Sequence, residues 1–380
     1  MNCKLLSLLC IVLFIACKSR PVVQVINEGN VATDSILLCR QDSTIIINIG
    51  DRLDPAPLSS QIYAGEDNET YVMLEENKLH LFNLSTGTQY DTLSLKGCGK
   101  LNSYSGFLYT KDTIFVYNYK QKVVYCLDSA LNIVDSWDVR ERCKAKYPLD
   151  PEALTLSPIL YFNGNIVLSG SGLGSPDDAT PENRPISCCI NVSTGGIIYG
   201  SAYPEQYVQG DFGGVYFNSI YQTVDKRGNY IYSFPADHSV YFYRPDLSKY
   251  EKVYMGSRYV SKIESSGSNS LDLFKDKSLR IRYYISQPSY ANIVYDKFRD
   301  LYYRIVEHPF MGQWESGQNF SKPFSIIVMD GDKRIVTETP IIKDYAQLNL
   351  GNVHVSKAGL LIQKNCSDEN RIEFIVYKMN

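Results

Sequence analysis

Apolar residues return along the chain as pairs of short runs separated by a polar turn, and the pairing recurs six times. In the first pair Leu79, Leu81 and Leu84 lead into Ser85-Thr86-Gly87, and Tyr90, Leu93 and Leu95 follow. Runs of this length around such turns predict β-hairpins. The next four pairs span Val123 to Val139, Ser187 to Tyr203, Ser239 to Met255 and Phe324 to Thr339. A sixth, Glu373 to Met379, has its first strand and then the chain ends. Turn chemistry is shared as well, because Asn191-Val192-Ser193-Thr194-Gly195 nearly repeats Asn83-Leu84-Ser85-Thr86-Gly87.

A further strand pair precedes the hairpins, as in Val224 to Tyr232, Val294 to Tyr303 and Val353 to Ile362, which gives four strands per unit. That is the count of a propeller blade. With Asn83, Leu127, Asn191, Tyr243, Met329 and Tyr377 as equivalent positions, the separations are 44, 64, 52, 86 and 48 residues. Blades recur at roughly 40 to 50 residues, so three separations contain insertions. The sixth unit lacks a last strand, while the stretch Ser35 to Gly50, with Ile45-Ile46-Ile47, has no partner of its own. Pairing the two closes the ring and removes exposed sheet edges. The expected fold is therefore all-β, a six-bladed β-propeller of four-stranded antiparallel blades closed by an N-terminal strand. Seven blades is the alternative, because the 86-residue separation has room for one more. Against it, Lys262 to Arg282 reads as a polar loop and a short helix.

Composition agrees: thirty tyrosines, with many Val, Ile and Thr, favour strands. The net charge is -3 with basic residues dispersed, which argues against nucleic acid as a partner. No cysteine pair has Cys-x-x-Cys spacing, so neither zinc nor a redox dithiol is indicated. Cys126 and Cys189 sit inside apolar runs, where a cysteine acts as a small buried hydrophobe.

The only long apolar run, Leu5 to Ala16, is about twelve residues, too short for the roughly twenty that cross a bilayer. It follows Lys4 and ends at Cys17, and Phe14-Ile15-Ala16-Cys17 resembles the lipobox of bacterial lipoproteins. The resemblance implies cleavage after Ala16 and lipidation of Cys17. The expected layout is a signal peptide at 1–16, a tether at 17–33 and one propeller domain at 34–380. Two or three acyl chains, at about 0.8 kcal/mol per buried CH2, hold such a domain at a membrane. The expected location is the cell envelope, at the outer membrane, with surface or periplasmic orientation open.

Tyr295 to Ile305 (YDKFRDLYYRI) and Asp225 to Tyr243 (DKRGNYIYSFPADHSVYFY), with the lipobox and the blade units, resemble uncharacterised propeller-like lipoproteins of gut Bacteroidetes. The resemblance implies fold and envelope location and brings no reaction or ligand.

No catalytic motif, phosphate-binding glycine loop, cofactor signature or metal set is present in the sequence. His80 and His354 alternate with strand residues and read as structural. His238 follows Asp237 in a turn between the second and third strands of blade 4, where Asp237 can orient it toward a ligand. Tyr216 and Trp314 stand in insertions rich in aromatics, which suit stacking on sugar rings or anchoring a protein. Asp177-Asp178 lies in a Gly/Ser/Pro-rich stretch that reads as a solvated loop. The expected function is a membrane-anchored, monomeric binding propeller, without enzymatic activity, for a glycan, peptide or protein partner. The alternative is an envelope hydrolase or lyase with acidic residues at the central channel.

Overall fold

The computed structural model describes residues 22–29, 37–140, 149–171, 185–214, 216–267, 276–310, 312, 314–315 and 321–380. Cys17, Cys143 and Asp177-Asp178 lie outside them. Twenty-four strands form six four-stranded antiparallel sheets. Blade 1 contains Ser60–Ala64, Glu69–Glu75, Lys78–Asn83 and Gln89–Ser94, and blade 2 runs in the same order from Gly106–Tyr109 to Ile133–Asp138. Blades 3, 4 and 5 begin at Leu160–Phe162, Tyr221–Val224 and Ser289–Asp296. Blade 6 takes Leu348–Ser356, Gly359–Lys364 and Arg371–Met379 from the C-terminus and Leu38–Asn48 from the N-terminus. The register runs from Leu38↔Met379 to Asn48↔Arg371, so the ring closes as the pattern predicts. The long separation before blade 5 holds no seventh blade among the described residues; it carries strand Lys262–Glu264 and helix Lys277–Ser286.

Six hydrophobic clusters fill the six spaces between neighbouring blades. Strand periodicity sorts residues between them. In Glu69–Glu75, Tyr71 and Met73 pack toward blade 6 while Val72 packs toward blade 2. A central strand covered on both faces is therefore buried and mostly apolar along its length, as in Phe324–Asp330, whereas the outermost Gln89–Ser94 is largely exposed. The repeated Asn-x-Ser-Thr-Gly turns share one mechanism. The side-chain Oδ1 of Asn83 accepts from Ser85 N and Thr86 N, that of Asn191 accepts from Thr194 N, and Gly87 and Gly195 supply positive φ. At Gly87 a Cβ would come within 2.0 Å of Ile46 O, so the glycine also lets blade 1 approach the closing strand.

Successive antiparallel strands reverse direction, so all links between blades and all second-to-third strand turns emerge on one face. Connections on the opposite face have at most six residues, whereas the links at 201–220 and 255–288 are far longer. Within the stretch expected as a tether, Gln24–Ile26 forms a strand paired with Lys262–Glu264 on this loop face. The described cysteines form no disulfide, and Cys98, Cys126, Cys188 and Cys189 are buried.

Candidate functional site

Asp237 and His238 do occupy the turn between the second and third strands of blade 4, yet they are only 2% and 4% exposed. The Asp237 carboxylate accepts from Ser239 N, the Tyr241 hydroxyl and Gln206 Nε2. It makes no bond to His238. Instead His238 Nε2 donates to Val25 O at 3.1 Å, and Nδ1 lies 2.6 Å from the Tyr290 hydroxyl, which itself accepts from Ser257 N. Because a carbonyl only accepts, this chain of bonds fixes the tautomer, and burial pushes the imidazole pKa down. Beneath it lies the fully buried Arg304. Its guanidinium stacks on Tyr290 and donates to Ser233 Oγ, Met255 O, Phe234 O and Asp237 O. Both sequence candidates thus serve the packing of blades 4 and 5 and of the N-terminal strand.

The aromatic candidates divide. Phe212 and Phe217 are core residues, and half-buried Tyr216 stacks on Tyr284 with centroids 4.5 Å apart. Trp314 is half-buried in the insertion of blade 5. These residues share the loop face with Asp237 and His238.

The other histidines are also committed. His354 Nε2 lies 2.5 Å from Asn352 Oδ1 and 3.1 Å from Ser60 Oγ. The Ser60 hydroxyl donates to the same amide oxygen at 2.9 Å, so serine and imidazole are both donors and the imidazole takes no proton from the serine. His308 Nε2 donates to Ser325 Oγ, whose own proton goes to Glu338. His80 is half-buried on the third strand of blade 1, 3.3 Å from Gln89 Nε2.

On the loop face above blade 1 there is a cavity of about 500 Å³. Its walls are the closing link at 54–59, the turn at 74–77 and the link at 100–105. That volume lies within the range of small-ligand sites. The turn is held in an uncommon shape, with Glu76 at φ 45° and Asn77 at φ 63°. Asn77 then ties the next link down, since its Oδ1 accepts from Leu101 N and its Nδ2 donates to Gly99 O. The closing link is fixed by Leu74 N donating to Ser59 O and by Gln363 Nε2 donating to Pro55 O. Glu75 has its carboxyl pKa raised, first by burial and then by the negative charges of Asp54 and Glu76. Leu58, 56% exposed, stands in the wall, whereas the ring of Tyr104 in the same link as Asn102 lies outside the lining and packs on Tyr119 with centroids 4.9 Å apart. The site therefore joins carboxylates and amides to an exposed leucine on pinned backbone. None of these residues was a sequence candidate. The one local signal was the run Glu75-Glu76-Asn77 at a hairpin turn without glycine.

A second polar group stands at the inner end of this face. Ser289 pairs with Glu307 across blade 5, and Glu307 accepts from Ser289 Oγ and the Tyr284 hydroxyl. Buried Lys322 is 3.8 Å from Glu307. Glu307 and Glu152 both bear electrostatically on half-buried Tyr221, the first residue of the innermost strand of blade 4. Among the described residues there is no cluster of three or more metal-ligating side chains.

Residues 36–340 match the family model described as Domain of unknown function (DUF4221). A solved member of that family from Bacteroides vulgatus is 19% identical, covers 91% of this chain and 99% of its own, and superposes with a TM-score of 0.75. A Bacteroides fragilis protein matches at 14% identity over 92% of this chain and 98% of its own, with a TM-score of 0.51. Virginiamycin B lyase from Staphylococcus aureus shares 10% identity over 88% of this chain and 99% of its own at a TM-score of 0.46, from which no activity carries over. No curated protein matches the chain. The resemblance to an uncharacterised Bacteroidetes propeller family is met.

Proposed function

The chain belongs to the DUF4221 family, and from that premise we propose that it is a lipid-anchored envelope protein that binds a glycan in the cavity above blade 1. The carrying observation is the composition of that cavity. Glu75, Glu76, Asp54 and Asn102 offer acceptors and donors for sugar hydroxyls, and Leu58 offers apolar surface for the C–H side of a sugar ring. Because the links are already pinned by backbone and side-chain bonds, ligand binding orders little further chain. Retention at the envelope is assigned to Cys17, whose lipobox precedes the fold. The test is a glycan and peptide array probed with residues 18–380, which include every described residue. Glycan hits that disappear in Glu75→Gln support the reading; hits confined to peptides, or none, reject it.

One observation favours an enzymatic reading: Glu152 and Glu307 both bear electrostatically on Tyr221, and burial raises the pKa of the Glu152 carboxyl, a condition suited to a proton donor. On that reading Glu152→Gln abolishes turnover of an unbiased substrate panel, and a panel without turnover removes it.

A further inference from the structure

We propose that the rim of the loop face over blades 4 and 5 docks on an anionic bilayer surface, so that the propeller stands on the membrane at this edge and the cavity above blade 1 lies on the far side of the ring. The inference rests in part on the lipid anchor at Cys17.

Where the chain enters the fold is the first ground. Val22 to Gly29 is clamped to the blade 4–5 link. Ser265 N donates to Val23 O, Asn27 N donates to Ser261 O, and Asn27 Nδ2 donates to Ser257 O and Val260 O. The Tyr254 hydroxyl donates to Asn27 Oδ1 and His238 to Val25 O. Four residues separate Cys17 from Val22, so at about 3.5 Å per residue the anchor lies within roughly 18 Å of this rim. An anchored protein therefore holds this rim close to the bilayer.

The surface chemistry is the second ground. Val22, Ile26, Tyr259 and Leu279 are 57%, 51%, 43% and 48% exposed. They belong to one packed unit, since Ile26 pairs with Lys262, the Tyr283 hydroxyl of the helix donates to Glu264 O, and a Cβ on Gly267 would touch Val22. Residues 257–287 carry six basic and three acidic side chains in a chain of net charge -3. Lys262 is exposed beside its partner Glu264, and Arg282 is exposed on the helix. Lys18 and Arg20 add cations next to the anchor, with no acidic residue between Cys17 and Val22. Exposed aliphatic and aromatic side chains among lysines and arginines fit insertion at an anionic interface.

The test uses unlipidated residues 18–380 with vesicles of phosphatidylglycerol and phosphatidylethanolamine, against vesicles of phosphatidylcholine alone. Expected is co-sedimentation with the anionic vesicles only, reduced at least fivefold by 0.5 M salt and by Leu279→Asp or Lys262→Glu. Tyr90→Asp, at an exposed site on an outer strand of blade 1, leaves it unchanged. Equal sedimentation with both vesicle types, or patch variants that sediment like the parent, overturns the proposal. Mass spectrometry of Cys17 in protein extracted from cell membranes keeps the two readings apart. Lipid on Cys17 without vesicle binding refutes docking alone, and vesicle binding with an unmodified Cys17 refutes the anchor while docking stands.

Discussion

At the scale of single residues, three buried histidines make stability depend on pH with a defined sign. Burial depresses the pKa of His354 to about 3 and of His308 to about 4, and it lowers that of His238. In the unfolded chain each titrates near 6.5, so below that pH the unfolded state takes up protons that the folded state refuses. The stabilisation is complete above about pH 6.5 and is lost as pH falls toward the folded values, at about 1.4 kcal/mol per pH unit for each group. At pH 5 His354 and His308 together remove roughly 4 kcal/mol. Urea midpoints at pH 7.5 and pH 5 measure this, and equal midpoints contradict it. That His354 is structural was legible from its alternation with Val353 and Val355. That His238 is structural was not. Its partners, Tyr290 and Val25, lie 52 and 213 residues away, and nothing local announces them.

At the scale of elements, legibility followed the source of each strand's burial. Every third and fourth strand read from the sequence as one hairpin was recovered, because a central strand sandwiched between blades must be apolar and its turn needs Asn, Asp or Gly. Innermost strands such as Leu160–Phe162 and Gly106–Tyr109 are only three and four residues long, and the links above them supply part of their cover. Strand Gln24–Ile26 was hidden for the same reason, with three residues pairing across the sequence. The closing strand gives the sharpest test of element logic. Ile47 is fully buried in the cluster between blades 6 and 1, whereas its neighbour Ile46 is 39% exposed. Ile47→Ala is expected to cost about 3 kcal/mol of unfolding free energy and Ile46→Ala less than about 1. Chemical denaturation of the two variants decides, and similar losses would mean that the closing strand is not seated in this register.

At the scale of the whole molecule, the ring divides the labour between its faces. Short turns line one side, while the other side carries the long links, the cavity of about 500 Å³ and the clamped N-terminal segment. The cavity was illegible in the sequence because no single element contains it. It arises where the closing link, a blade 1 turn and the link to blade 2 meet, and only the packing of blade 2 against blade 1 brings residues 54–59 beside 100–105. Blade 4, with Asp237 and His238, sits three blades round the ring from this cavity, on the same face. A second groove of about 460 Å³, lined by Asp67, Ser85, Thr86 and Lys357 among the short turns, provides an internal control. The most direct measurement is calorimetric titration of the strongest glycan array hit into the parent protein, Asn102→Ala, Glu75→Gln and the control Asp67→Asn. The account predicts at least a tenfold loss of affinity, about 1.4 kcal/mol, in each cavity variant and none in the control. Undiminished affinity in both cavity variants would contradict it.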